Sequence, residues 1–214
     1  MPEQNQTAQK QLHKQQLRQF LLFVFVLIIP CFGLWTVASE ILARPAVGFV
    51  NFTLTHWFSD VVQSLYIDGQ KAILLTPFGE AGGQLVPASQ TKYQIGYPIN
   101  TRLVSYSIPF YAALHFAMPQ KDYLNRFIWG LVVLYPLMAL GLLALCMKEL
   151  MVGLGSTFLE QPNAWVPNAN LIGLTYQMSV LLVPTLGPVL LWLCQNRNAP
   201  MLAAMSNQQE KEGR

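Results

Sequence analysis

From residue 20 to residue 38 the chain runs without a single charged side chain, and three more apolar runs follow at 103–118, 127–147 and 171–194. About 20 apolar residues are what a helix needs to cross roughly 30 Å of hydrocarbon. Only 11% of the 214 residues are charged, less than half the roughly 25% usual in a soluble domain, so the chain lacks the polar surface to cover such runs in water. These features predict an α-helical membrane protein with four transmembrane helices. The first span extends to residue 43 to reach full length, with Glu40 near its far end.

The first nineteen residues are polar and Gln-rich, with Lys10, His13, Lys14 and Arg18 ahead of the first run. Val37, Ala38 and Ser39 would suit a signal-peptide cleavage site. The apolar core is longer than the usual 7–15 residues, however, and bulky Leu34 and Trp35 precede the site, so the segment reads as an anchor. Lys and Arg density then orients the chain. With the N-terminus inside, segments 1–19, 119–126 and 195–214 carry eight Lys+Arg in 47 residues, against five in 82 for segments 44–102 and 148–170. Positive loops stay cytoplasmic, so both termini are expected in the cytoplasm.

Segment 44–102 is the only one long enough for an extracytoplasmic subdomain. Residues 45–60 place Val50, Leu54, Trp57 and Val61 at helical spacing, which predicts an interfacial amphipathic helix. Residues 61–67 and 70–76 flank Asp68-Gly69, and this pair predicts a β-hairpin with a type I′ turn. Pro77, Gly79, Gly82, Gly83 and Pro87 read as breakers, and residues 91–95 as a third strand. So small a sheet needs support from the membrane surface or a partner.

Each span contains proline: Pro30, Pro109, Pro136, and the pair Pro184 and Pro188. Each removes one helical hydrogen bond and frees the carbonyl four residues earlier, so kinks are expected there. Intramembrane polar residues gather at the outer leaflet. Arg102, Ser105 and Tyr106 open the second span, Lys148 and Glu149 follow the third, and Tyr176 and Gln177 lie in the outer third of the fourth. An amide some six residues inside a span should face protein, and the pattern suggests a polar pocket of Arg102, Ser105, Tyr106, Tyr176 and Gln177. Interfacial anchoring at helix ends is the plainer alternative.

The remaining reactive side chains form no constellation. His13, His56 and His115 share no ligand spacing, so neither a metal nor a cofactor is expected, and His115, with Tyr111 four residues before it on the same face, reads as structural or hydrogen-bonding. Cys31, Cys146 and Cys194 lie in or beside apolar runs. A reactive thiolate needs an electropositive, accessible setting, which makes a membrane thiol enzyme a weak reading even for Cys146, two residues from Lys148. A small transporter or channel subunit is a second alternative, though no charge sits at mid-span and no repeat pairs the helices. Ala113 and Ala117 make one small-residue packing pair. The net charge of +3 is spread along the chain, with no basic stripe for nucleic acid.

The order of features resembles a known family. Carrying the resemblance are Pro30, Cys31, Phe32, Gly33, Leu34 and Trp35 in the first span, and Val61, Val62, Gln63 and Ser64, continuing through Gly69 to Thr76, in the hairpin. Ile99, Asn100, Tyr106 and Pro109 follow at the second span, and Tyr176, Gln177, Pro184, Pro188, Leu191, Trp192, Asn196 and Arg197 in the fourth. This pattern is similar to that of the exosortase H-associated membrane proteins, encoded beside the bacterial exosortase that handles proteins with an IPTL-type C-terminal sorting tail. Around Tyr106, where the family often has small residues, this chain has Val104, Ser105 and Ser107. The resemblance implies a non-catalytic accessory protein of an inner-membrane sorting system, which binds the sorting enzyme or its substrate tail and has lipid and a membrane protein such as an exosortase as its partners.

Overall fold

A computed structural model describes residues 2–118 and 122–197; residues 119–121 of the predicted short loop and 198–214 of the predicted C-terminal tail lie outside the described residues. The chain is mostly helical. Helix α1 (Pro2–Trp57) leads into five strands, β1 (Ser64–Asp68), β2 (Lys71–Leu75), β3 (Phe78–Ala81), β4 (Gln84–Pro87) and β5 (Gly96–Ile99). Helices α2 (Arg102–Ser105), α3 (Ser107–Phe116), α4 (Tyr123–Leu154), α5 (Ser156–Leu159) and α6 (Ala169–Gln177) follow, and a π-helical turn (Met178–Leu182) joins α6 to α7 (Val183–Asn196). Among the described residues three helical stretches are long and apolar enough to cross a membrane: Gln15–Trp57, Tyr123–Leu154 and Ala169–Asn196.

Helix α1 is longer than expected. In place of a span ending near residue 43 and a separate interfacial helix over 45–60, one helix of 56 residues begins within the polar N-terminal segment and continues to Trp57. Pro45 removes only the bond to the Ile41 carbonyl. The face of Ala43, Ala46, Val47, Val50 and Leu54 stays buried across that point, in one core with Leu65 and Leu74 of the sheet, Leu150 of α4 and Phe158 of α5. Packing on both sides of the proline therefore holds the helix together.

The second apolar run, 103–118, is divided at Tyr106 into α2 and α3. Pro109 explains the place of the break, because the carbonyl it leaves without a helical donor is that of Ser105. Asn100 starts α2: its Oδ1 accepts from the Arg102 backbone N–H at 3.1 Å. A smaller core closes the other end of the bundle, where Val24 of α1, Leu114 and Ala117 at the end of α3, and Trp192 of α7 pack together and Phe20 stacks on Trp192 at 4.8 Å.

Strands β1, β2 and β5 form an antiparallel sheet in that order, and β3 pairs with β4. The first hairpin forms where expected but turns one residue later. Asp68 pairs with Lys71, so Gly69 and Gln70 are the central residues, and of these Gly69 alone has positive φ, at 58°. That is the pattern of a type II′ turn, with glycine first, and it spares Asp68 the left-handed conformation that a type I′ turn there would demand. A type I′ pattern belongs instead to the second hairpin, where Gly82 and Gly83 sit at φ 61° and 78° between β3 and β4. The third strand of the main sheet is Gly96–Ile99, not 91–95.

Both edges of this sheet are blunted. The Leu65 backbone N–H points outward from β1 and is taken by Asn51 Oδ1 of α1 at 2.6 Å. Leu74, opposite Leu65, accordingly directs its N–H to β5 and its partner Tyr97. By alternation Gly96 and Pro98 occupy the outward positions of β5, and Pro98 has no N–H to offer.

Candidate functional site: polar clusters at the two ends of the bundle

At the sheet end, α2 presents its polar side chains to α1. The Arg102 guanidinium lies over the Trp35 ring, 5.7 Å from its centroid, and Nη2 donates to the Thr36 carbonyl at 3.4 Å. Arg102 Nε is buried with no acceptor among the described residues. The Trp35 indole N–H donates to Ser105 Oγ at 3.3 Å, and Ser105 is fully buried. Tyr106 turns the other way and donates to the Val180 carbonyl at 3.4 Å. That carbonyl is four residues before Pro184, so it is the one the proline deprives of a helical donor. A phenol from between α2 and α3 thus fills a vacancy in the broken α6–α7 helix, within its π-helical turn.

Tyr176 and Gln177 stand apart from these three. Tyr176 is half-buried beneath Lys148, whose Nζ lies 5.6 Å from the ring centroid, and Lys148 pairs with Glu149 at 2.9 Å. Gln177 is exposed. The reason is angular: Ile172 marks the buried side of α6, and at roughly 100° per residue Tyr176 returns to within about 40° of it while Gln177 lies about 140° away. Depth along the span, on which the expected pocket rested, does not decide the face. The structure brings Arg102, Ser105 and Tyr106 together with Trp35, Thr36 and Val180, and sets Tyr176 beside Lys148 and Glu149.

This second group reaches the sheet. Tyr97 of β5 fills the space above Gly153 of α4, where any Cβ would collide with its ring. Burial, and then the charge of Glu149, raise the Tyr97 phenol above its ordinary pKa. Trp57 stacks on Trp165 at 6.2 Å, and Asn163 donates to Asp60 at 3.0 Å, tying the loop after α5 to the end of α1.

At the opposite end, α3, α4 and α7 share a hydrogen-bonded network. His115 and Tyr111 are both fully buried. His115 Nε2 lies 2.8 Å from the Tyr123 carbonyl, which can only accept, so this nitrogen carries the proton and Nδ1 faces the Tyr111 hydroxyl at 3.4 Å. Tyr111 donates to Gln195 Oε1 at 2.8 Å, and Gln195 Nε2 donates to the Arg126 carbonyl at 3.1 Å. Gly130 makes room for the phenol. That His115 and Tyr111 share one face was readable from their spacing, whereas the Gln195 and Arg126 contacts were not. The available signal was topological: Arg126 precedes the third span and Gln195 follows the fourth, which places both at one end of the bundle.

Cys31 is half-buried, Cys146 buried and Cys194 exposed, and all three are free. Among the described residues no three His, Cys, Asp or Glu side chains gather as a metal site would require. Residues 14–199 match the family model of the exosortase H-associated membrane proteins. The chain belongs to that family. The match covers the apolar helices, the sheet and both polar clusters of this exosortase H-associated protein. Neither curated proteins nor solved structures gave a match. Family membership and the apolar helices together make it a multi-pass membrane protein.

Proposed function

We propose that this protein is a non-catalytic accessory subunit of an exosortase-type sorting system in the bacterial inner membrane, binding the sorting enzyme or the C-terminal tail of its substrate. The family match over residues 14–199 carries this reading. The topology that fits it has four spans, at 20–43, 103–118, 127–147 and 171–194, with both termini cytoplasmic and segment 44–102 outside. The course of α2–α3 supports a span at 103–118: Arg102 and Tyr106 meet Thr36 and Val180 near the sheet end, whereas Tyr111 and His115 meet Gln195 and Tyr123 at the other. The thirteen residues from Arg102 to His115 cover about 20 Å as helix.

The surface proposed to meet the partner is the sheet-end cluster of Arg102, Ser105 and Tyr106, with Tyr176 and the exposed Gln177 on its flank. A guanidinium with an unsatisfied buried donor, no carboxylate partner among the described residues and an aromatic ring beneath it is suited to a carboxylate or a backbone carbonyl from a neighbouring chain. Copurification from native membranes tests the reading, with an affinity tag after the C-terminal tail. The exosortase, or a substrate bearing its sorting tail, should be recovered with the wild-type chain and lost with Arg102→Ala at equal membrane abundance. Recovery of neither with the wild type would overturn it.

A further inference from the structure

The membrane-crossing helix of α1 is longer than the membrane is thick. Its 43 residues, Gln15–Trp57, make about 64 Å of helix against roughly 30 Å of hydrocarbon. Its exposed apolar residues do not stop at the expected boundary either. Leu34, Val37 and Ile41 continue into Phe49 and Phe52, which are 62% and 61% exposed. At about 100° per residue these five fall within roughly 120° of arc, so they form one stripe. The opposite face, from Ala43 to Leu54, is buried under the sheet and α4.

An upright helix strands the upper part of this stripe. Leu21 is an exposed apolar residue at the start of the run, and Phe52 lies about 46 Å along the helix from it. With Leu21 at one hydrocarbon edge and the helix perpendicular, Phe49 and Phe52 would stand in water beyond the headgroups. A tilt of about 40°, the upper end of the range for membrane helices, reduces that rise to about 36 Å. Phe52 then reaches the headgroup layer of a bilayer about 40–45 Å thick overall.

We infer that α1 crosses the bilayer steeply tilted, with the Phe49–Phe52 face on its underside resting in the headgroup layer of phospholipid and the sheet riding on its upper side. Two observations agree. The stripe is continuous with the lipid-facing residues below it. The sheet occupies the face opposite Phe49 and Phe52, as an underside and an upper side require. The Glu40–Arg44 ion pair at 2.8 Å flanks the stripe where the tilted helix enters the headgroups. Lipid thus becomes the occupant of a face that would otherwise need a protein.

The test uses the full chain alone, in phosphatidylethanolamine–phosphatidylglycerol vesicles at low protein-to-lipid ratio, so its outcome does not depend on an exosortase. Nitroxide labels are placed at Phe49→Cys and Phe52→Cys, with Val37→Cys as lipid reference and Lys71→Cys as water reference, after Cys31, Cys146 and Cys194 are changed to Ala. Oxygen should outweigh a water-soluble nickel chelate in broadening the signal at 37, 49 and 52, and the order should reverse at 71. Labels at 49 and 52 that behave like the one at 71 would overturn the inference, and so would labels there shielded from both reagents, which would mark a protein contact. The unmodified chain gives an independent reading. Hydroxyl radicals should oxidise Tyr93, which is 82% exposed, and spare Phe49 and Phe52. Oxidation of the two phenylalanines to the level of Tyr93 would sink the proposal.

Discussion

Individual contacts make the sharpest commitments in this protein. Gly130 is fixed by the Tyr111 phenol, which occupies the position a Cβ would take. Gly130→Ala must push that phenol off Gln195 and His115 and should lower thermal stability in detergent by about 1–3 kcal/mol, as overpacking of a filled core does. Tyr111→Phe keeps the ring and removes only the hydroxyl, so its cost should be nearer about 1 kcal/mol, the usual worth of a buried hydrogen bond. A calorimetric series in which Gly130→Ala proved neutral would show that the phenol has somewhere else to go. The cysteines predict the reverse. Among the described residues Cys31 and Cys194 have no hydrogen-bonded or charged partner that would draw out a thiolate, and replacing either by Ala should leave exosortase copurification intact. Loss of copurification with normal membrane abundance would reopen the thiol reading.

Proline placement governs the elements. The sequence announced that each intramembrane proline would leave a carbonyl without a donor, and at Pro184 the structure shows the response: a π-helical turn and a phenol from another helix on Val180. These two responses should be coupled. Tyr106→Phe alone should cost about 0.5–1.5 kcal/mol of stability, in the range of interhelical hydrogen bonds in membranes. In a Pro184→Ala background the restored N–H can serve Val180 itself, so the same change should cost much less; equal costs in thermal unfolding would uncouple them. The elements also show where reading a sequence succeeds. Apolar runs and the Asp68-Gly69 signal are local, and the helices and first hairpin were visible in them. Gly82 and Gly83 were read as breakers because a glycine pair both ends strands and turns hairpins, and only the pairing of Phe78 with Pro87 decides which. The continuity of α1 through Pro45 depends on tertiary burial on both sides of it. Gln177 was misplaced for a different reason: hydropathy gives depth in a span, whereas the face depends on helical phase, for which Ile172 was the reference.

For the molecule as a whole, topology is the property that tests most simply. An alkaline phosphatase fusion after Gln70 should be active, and fusions after Asp122 or Gln208 should be silent, because the positively charged segments are expected inside. Activity after Gln208 would place the C-terminus outside and remove one crossing, leaving α2–α3 as a helix packed within the bundle without spanning it. The blunted sheet bears on how another chain can approach from the outer side. Many recognition modules capture an extended peptide by letting it join a sheet as one more strand, held by a ladder of backbone hydrogen bonds. Here Asn51 occupies the Leu65 donor on one edge and Pro98 is without a donor on the other, so each edge is left with one outward N–H, at Ile67 and at Gly96. A sorting tail arriving as an extended peptide would find no ladder to extend. Under the proposed function, whatever such a tail gained here would have to come from its side chains or its terminal carboxylate, a recognition selective by chemistry in a way that strand addition, reading only backbone, would not be.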